Sequence, residues 1–202
     1  MLNDVTVFNI REYLSSDDKI LGEEQLQQVL SEFLCYKNTD VERFLKEQSI
    51  EFTKKNQSVT YLVFSNEDAE LVGYFTLTIK PISVNADAFS NTMRRKIARV
   101  SELDEETGTY TLSAYLIAQL GKNYANNAND RITGEQLLQA AIDTIKELQY
   151  MAGGMVVFLE AEDKEKLMHF YEEENGFKRF SVRQVQPKDG EEHMLVQLLK
   201  VL

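Results

Sequence analysis

Cysteine, histidine, proline and glycine are all scarce in this 202-residue chain, and each scarcity closes off a class of protein. A lone Cys35 has no partner for an internal disulfide, which excludes a disulfide-stapled scaffold and makes the cytoplasm the default compartment. The two histidines, His169 and His193, lie far from Cys35 and lack zinc-ligand spacing, so no metal site is expected. Two prolines and nine glycines, with no low-complexity run, argue against long disordered stretches. No apolar stretch approaches the roughly 20 residues that a membrane span needs, so no membrane partner is expected. The start, Met1-Leu2-Asn3-Asp4-Val5, lacks the basic flank and apolar run of a signal peptide. Also missing are a G-x-G-x-x-G fingerprint, a Walker A sequence and a G-x-S-x-G elbow. Their absence weighs against dinucleotide-binding, nucleotide-hydrolysing and serine-hydrolase readings.

Positive charge is in deficit too. Twenty-two Lys and Arg against 33 Asp and Glu leave a net charge of -11. The average field repels a polyanion and attracts a cationic or amine ligand, although acidity also serves solubility alone. On this ground nucleic acid is an unfavoured partner. Arg94, Arg95, Lys96 and Arg99 are a local exception, between Pro81 and Asp104. They read either as a phosphate-facing cluster or as a solvated helix face.

What is present suffices for one ordinary domain. Hydrophobic residues make up 43% of the chain, enough for a sizeable core. Val5 to Ile10 reads as a strand, and Leu26, Val29, Leu30, Phe33 and Leu34 recur at helical spacing over about Glu23 to Cys35. Thr39 and Glu42 have capping-box spacing at the start of a second helix. Val59 to Phe64 and Leu71 to Ile79 form a hairpin around Ser65-Asn66-Glu67-Asp68. The segment from Ile82 to Asp104 is the least regular, with Phe89, Met93, Ile97 and Val100 suggesting a short amphipathic helix. Glu105 to Gly108 reads as a turn, Tyr110 to Leu120 as a central strand and Gly121 to Arg131 as an Asn-rich loop. Thr133 and Gln136 then cap a long helix, with Ile132 and Leu137 as its hydrophobic staple and Gly153-Gly154 at its end. A buried strand (Met155 to Leu159), a helix (Asp163 to Glu174) ended by Gly176, and two last strands follow, Phe177 to Val185 and His193 to Val201. Early hairpins and a late strand-helix-strand crossover give a mixed sheet.

Chemistry concentrates between Asn129 and Phe177. The first N–H groups of a helix capped by Thr133, with its positive dipole end, favour an anion such as a pyrophosphate. Gly134 lets a ligand approach the backbone, and Lys122 and Arg131 flank the place. A plain well-capped helix fits the same residues. Tyr171, beside Phe170 on a helix, carries a phenol that stays protonated at neutral pH, either as a proton donor or as a core residue with its hydroxyl at the surface. Glu160 and Glu162 read as ordinary surface carboxylates.

The run from Tyr110 to Phe180 resembles the GNAT superfamily of acyl-CoA-dependent N-acetyltransferases. The likeness rests on Leu120-Gly121 at a strand end, on Ile132-Thr133-Gly134-Glu135-Gln136-Leu137-Leu138, and on Phe170-Tyr171 followed by Asn175-Gly176-Phe177. The element order agrees over most of the chain. The resemblance implies an α/β (α+β) fold: a single domain over 1–202 with a mixed, mostly antiparallel central sheet flanked by helices, and an atypical insert at about 82–104. It implies acetyl-CoA as co-substrate and an amine as acceptor. The pyrophosphate would lie on the backbone around Arg131, Ile132, Thr133, Gly134, Glu135 and Gln136, with Asn129 at the loop start. The pantetheine arm would pair with Ala118, Gln119, Leu120 and Gly121, and Tyr171 would protonate the leaving thiolate. A homodimer is compatible with it. Two places depart from the family pattern. Where that pattern has Arg or Gln, then Gly, then Gly or Ala, this chain has Asn129, Ile132 and Gly134. The spacing from Tyr171 to Gly176 is one residue longer than usual, which is expected to bulge the helix end or shift the tyrosine. The other readings are a toxin-type acetyltransferase acting on aminoacyl-tRNA and a GNAT-fold binding module without catalysis.

Overall fold

The structure, a computed structural model, describes residues 4–14, 22–185 and 193–202, with the side chain of His193 outside that set. The chain start at Met1 to Asn3, read above for a leader, also lies outside it. Among the described residues eight strands make a mixed, mostly antiparallel sheet in the order β1-β2-β3-β5-β6-β8-β7, with β4 paired to β5. The chain divides into two compact units, Met1–Thr78 with Ile117–Glu147, and Ile79–Leu116 with Leu148–Leu202.

In the first unit, β1 (Val5–Asn9) pairs antiparallel with β2 (Val59–Ser65), from Val5↔Ser65 to Asn9↔Tyr61. Strand β2 pairs in turn with β3 (Leu71–Asn85), Thr60 facing Thr76 with their hydroxyls 2.8 Å apart. Residues 71–77 are buried without a break, as a strand covered on both faces must be. Among the described residues four helices precede β2: α1 (Ile10–Leu14), α2 (Glu23–Ser31), α3 (Thr39–Glu47) and α4 (Ser49–Lys54). Their apolar stripes, including Leu26, Leu30, Val41 and Leu45, pack with Ile10, Phe33 and Tyr74 into one core. Each fully buried side chain of this size contributes about 1.5–3 kcal/mol. The Tyr74 hydroxyl donates to the Val41 carbonyl at 2.6 Å, which satisfies a buried phenol.

Two local expectations shift here. The first strand ends at Asn9, and α1 begins where the strand reading ran on. The cap of α3 is Asn38, not Thr39: its side chain accepts from the amides of Asp40 and Val41. Glu42 is drawn away from the expected box and accepts from the Cys35 amide at 2.7 Å.

In the second unit the rest of β3 changes character. Ile82 and Val84 are buried while Ser83 and Asn85 are exposed, the period-two pattern of a half-covered strand. The supposed insert therefore begins as sheet. A 3₁₀ turn (Ala86–Ala88), α5 (Asn91–Ile97, capped by Ser90) and the short β4 (Leu103–Asp104) follow. Phe89 and Ile97 are buried as the helical spacing required, but Val100 is 65% exposed and lies beyond the helix. Strand β5 runs Thr109–Lys122, so Gly121 and Lys122 belong to sheet rather than loop. The long helix α6 (Gly134–Ala152) bridges the two units in sequence. Strand β6 (Val156–Glu162) pairs with β8 (His193–Val201), which pairs with β7 (Lys178–Val185), all antiparallel. Among the described residues no helix is long and apolar enough to cross a membrane.

Candidate active site

The start of α6 is built as its sequence dictates. The Thr133 amide donates to Gln136 Oε1 at 2.8 Å, and the Gln136 amide donates to Thr133 Oγ1 at 3.0 Å. This reciprocal box uses two of the helix's orphan donors. Leu137 N–H is taken by the Thr133 carbonyl at 3.1 Å. The N–H groups of Gly134 and Glu135 remain, with no acceptor among the described residues, at the positive end of a 19-residue helix. Ile132 is 2% exposed, so its side chain is spent in the core and leaves the approach to these amides clear. Leu137 is equally buried, as the staple requires.

The loop before it is tightly wound. Residues Ala125–Arg131 form 3₁₀ turns broken by Asn126 and Asn127, both left-handed at φ 50° and 58°. Asparagine tolerates that region better than other side chains, which accounts for the Asn-rich composition. Arg131 is committed elsewhere: its Nε lies 2.6 Å from Asp68 Oδ2. Its charge pins the loop to the β2–β3 turn rather than standing free. Asn129 donates to the neighbouring Asp130 carboxylate at 2.6 Å.

Along β5, Ala118 is exposed and Gln119 and Leu120 are half-buried. Gly121 has a packing reason to be glycine. A Cβ there would clash with Val41 Cγ1 and lie 3.3 Å from the Tyr74 ring. Sequence reasoning missed Asn123. This side chain, 3% exposed, donates to the Leu71 carbonyl at 2.7 Å and accepts from the amides of Leu34 and Ala125.

Tyr171 lies in the second unit, in an unusual turn. Helix α7 is α-helical only over Glu165–Met168, and His169–Glu174 is a π-helix. The widened turn absorbs the extra residue between Tyr171 and Gly176 as a bulge, the first of the two expected outcomes. Several bonds close it: Phe177 N–H to the Tyr171 carbonyl (2.9 Å), Asn175 Nδ2 to the Phe170 carbonyl (2.8 Å) and Lys200 Nζ to the Asn175 carbonyl (2.9 Å). Gly176, at φ +69°, supplies the left-handed residue that ends the helix. The Tyr171 ring stands edge-on to Phe170 and Phe177, with centroids 5.0 and 5.9 Å away. Burial pushes its phenol up to about 12. Its hydroxyl has no hydrogen-bond partner among the described residues, so this neutral donor is uncommitted.

Several other carboxylates of this unit are taken. Glu160 accepts from Arg183 at 3.1 Å and Gln197 at 2.7 Å, and Glu172 accepts from Arg179 at 3.0 Å. His169 lies 3.4 Å from Glu174.

No protein-family model and no curated protein sequence matches the chain. Solved structures do match its fold. AtaT complexed with acetyl-methionyl-tRNAfMet superposes with a TM-score of 0.61 at 17% identity, covering 96% of this chain and 94% of that one. The fold is GNAT-like. A tyrosine-to-phenylalanine mutant of KacT gives a TM-score of 0.59 at 17% identity, with 96% and 95% covered. A mutant AtaT toxin bound to the C-terminus of the antitoxin AtaR and acetyl-CoA gives 0.58 at 17%, with 98% and 94% covered. A GNAT-like frame accounts for the mixed sheet and for a capped helix directly after a central strand.

Proposed function

We propose that this protein is an N-acetyltransferase that moves an acetyl group from acetyl-CoA to an amine. The observation that carries the reading is Tyr171: a neutral phenol that burial raises further, without a hydrogen-bond partner among the described residues, at a π-turn of a GNAT-like fold. The free amides of Gly134 and Glu135 take the diphosphate, within the loop that includes Asn129, Arg131, Ile132, Thr133 and Gln136. The segment Ala118 to Gly121, exposed at its Ala118 end, pairs with the pantetheine amides as an added strand does. The amine enters as its free base, and its nitrogen attacks the thioester carbonyl. A C–N bond forms, the C–S bond breaks, and the thiolate takes the Tyr171 proton. The tyrosine recovers a proton from the nitrogen, so the products are the amide and free CoA. General-acid help of this kind is worth about 10²–10⁴-fold.

A second reading concerns the acceptor. AtaT is recorded with acetyl-methionyl-tRNAfMet, and α5 with the turn after it presents Arg95, Lys96 and Arg99 exposed, with no ion-pair partner among the described residues. These observations favour the amine of an aminoacyl-tRNA and bring nucleic acid back as a partner class despite the net charge of -11. Incubation with acetyl-CoA, a panel of small amines, peptides and aminoacyl-tRNA, followed by mass spectrometry, tests both. Acetylated aminoacyl-tRNA alone selects the toxin-type acceptor. Acetylated small amines alone exclude it, and no acetylated product removes the enzyme reading.

A further inference from the structure

A second feature of the first unit lies outside the residues assigned to acetyl transfer. The segment after α2 is zipped to the end of β5. Tyr124 N–H donates to the Leu34 carbonyl at 2.7 Å, and the Leu34 amide donates to Asn123 Oδ1 at 2.9 Å. The buried Asn123 also ties the β5 end to Leu71 and Val72. On this rigid joint stand two tyrosines and two lysines. Tyr36 is 64% exposed, with its ring centroid 4.8 Å from that of Tyr124. Lys37 Nζ lies 4.7 Å from the Tyr124 ring centroid. Lys122 ends β5, two residues before Tyr124.

The charges here are unbalanced. Neither Lys37 nor Lys122 has a carboxylate within ion-pair distance among the described residues, in a chain whose acids outnumber its bases. Glu42, on the adjoining α3, is already held by Lys46 at 2.8 Å and by the Cys35 amide. Burial and then the Lys37 charge push Lys122 down, with Asp130 acting the other way. Lys37 is pushed the other way, chiefly by its hydrogen bond to the Tyr124 side chain, so its ammonium stays charged beside that ring and open to an anion. An exposed aromatic face beside such a pair suits a planar ring carrying a phosphate.

We propose that Tyr36, Lys37, Lys122 and Tyr124 form a nucleotide-binding platform, with a base stacked on the Tyr36 ring and a phosphate between Lys37 and Lys122. The ligand chemistry is a phosphorylated nucleoside, supplied by the adenosine end of acetyl-CoA or by a terminal nucleotide of RNA. The platform stands on its own geometry and does not require acetyl transfer to be the reaction.

Calorimetric titration of the full chain with adenosine 3′,5′-bisphosphate, unphosphorylated adenosine and a short single-stranded RNA tests it. Tyr36→Ala and Lys37→Ala should each weaken the bisphosphate about tenfold, the scale of one base–aromatic stack or phosphate contact, while Tyr36→Phe retains it. Adenosine should bind weakly and without regard to Lys37. Melting curves confirm that the variants, altered at exposed positions, remain folded. Titrations of CoA against 3′-dephospho-CoA then separate the sources. A preference for CoA that vanishes in Lys37→Ala assigns the platform to the coenzyme, and an RNA affinity that alone falls assigns it to RNA. Bisphosphate and RNA that bind the variants as well as the parent, or that bind neither, overturn the proposal. Binding of CoA and of RNA that are both indifferent to all the variants overturns it while leaving the acetyltransferase reading intact.

Discussion

Tyr171→Phe separates chemistry from fold more sharply than any other change. The substitution removes one oxygen and keeps the ring, so the edge-on pairs with Phe170 and Phe177 at 5.0 and 5.9 Å persist. The π-turn is held by backbone and by Asn175 and Lys200, none of which involves the phenol oxygen. The hydroxyl that is lost has no partner among the described residues, and deleting an unpaired, half-buried polar group is close to neutral or stabilising. The melting temperature should therefore stay level or rise slightly. Turnover should fall by about 10²–10⁴-fold, which is about 2.7–5.4 kcal/mol of lost transition-state stabilisation at 1.36 kcal/mol per decade. The assay is release of free CoA thiol at saturating acetyl-CoA, with acetyl-CoA affinity measured alongside. A Phe variant that turns over at the parent rate refutes the proton-donor role. A variant that loses turnover only because its melting temperature collapses refutes the claim that the hydroxyl is structurally idle.

Other expectations follow from the same geometry. Gly121→Ala forces a methyl into Val41 and should cost about 1–3 kcal/mol by overpacking, read as a lowered midpoint in urea unfolding. Thr133→Ala removes one half of the capping box and should cost about 0.5–2 kcal/mol in the same unfolding measurement. Gly134→Glu places a carboxylate beside the free amides and should weaken acetyl-CoA binding in a direct titration while the fold persists. Because burial raises Tyr171 to about 12, its neutral form adds stability that is full below pH ~10 and is lost as pH rises through 12. Alkaline unfolding of parent and Tyr171→Phe should therefore diverge there, with the Phe variant declining less. The activity profile should likewise show no Tyr171 limb below about pH 11.

What was legible in the sequence was local chemistry. Thr133 and Gln136 sit three residues apart beside Ile132 and Leu137, and the structure closes that box and buries that staple. Local rules misfired where two neighbours fit the same pattern: Asn38 and Thr39 can both cap, and Glu42 was claimed by Cys35 instead. The strand reading ended at Ile79, yet β3 continues through Pro81 to Asn85, since proline is tolerated where a strand needs no donor. The free-looking Arg131 is bound to Asp68, a partner 63 positions away that no window over the sequence connects. Asn123 looks like its Asn-rich neighbours, and only the tertiary structure makes it a buried hub. The extra residue after Tyr171 was visible as a spacing, but whether it bulged the turn or displaced the tyrosine depended on hydrogen bonds the sequence does not specify.

The central claim is that this fold binds and uses acetyl-CoA, and a thermal-shift titration with acetyl-CoA tests it most directly. A ligand at about 100 times its dissociation constant stabilises the folded state by about 2.7 kcal/mol, an upward shift of about 5–10 °C for a chain of this size. The account expects a saturable shift with acetyl-CoA and with CoA, reduced in Gly134→Glu and retained in Tyr171→Phe. No shift at millimolar acetyl-CoA would contradict it and leave a GNAT-like frame that serves binding of another kind.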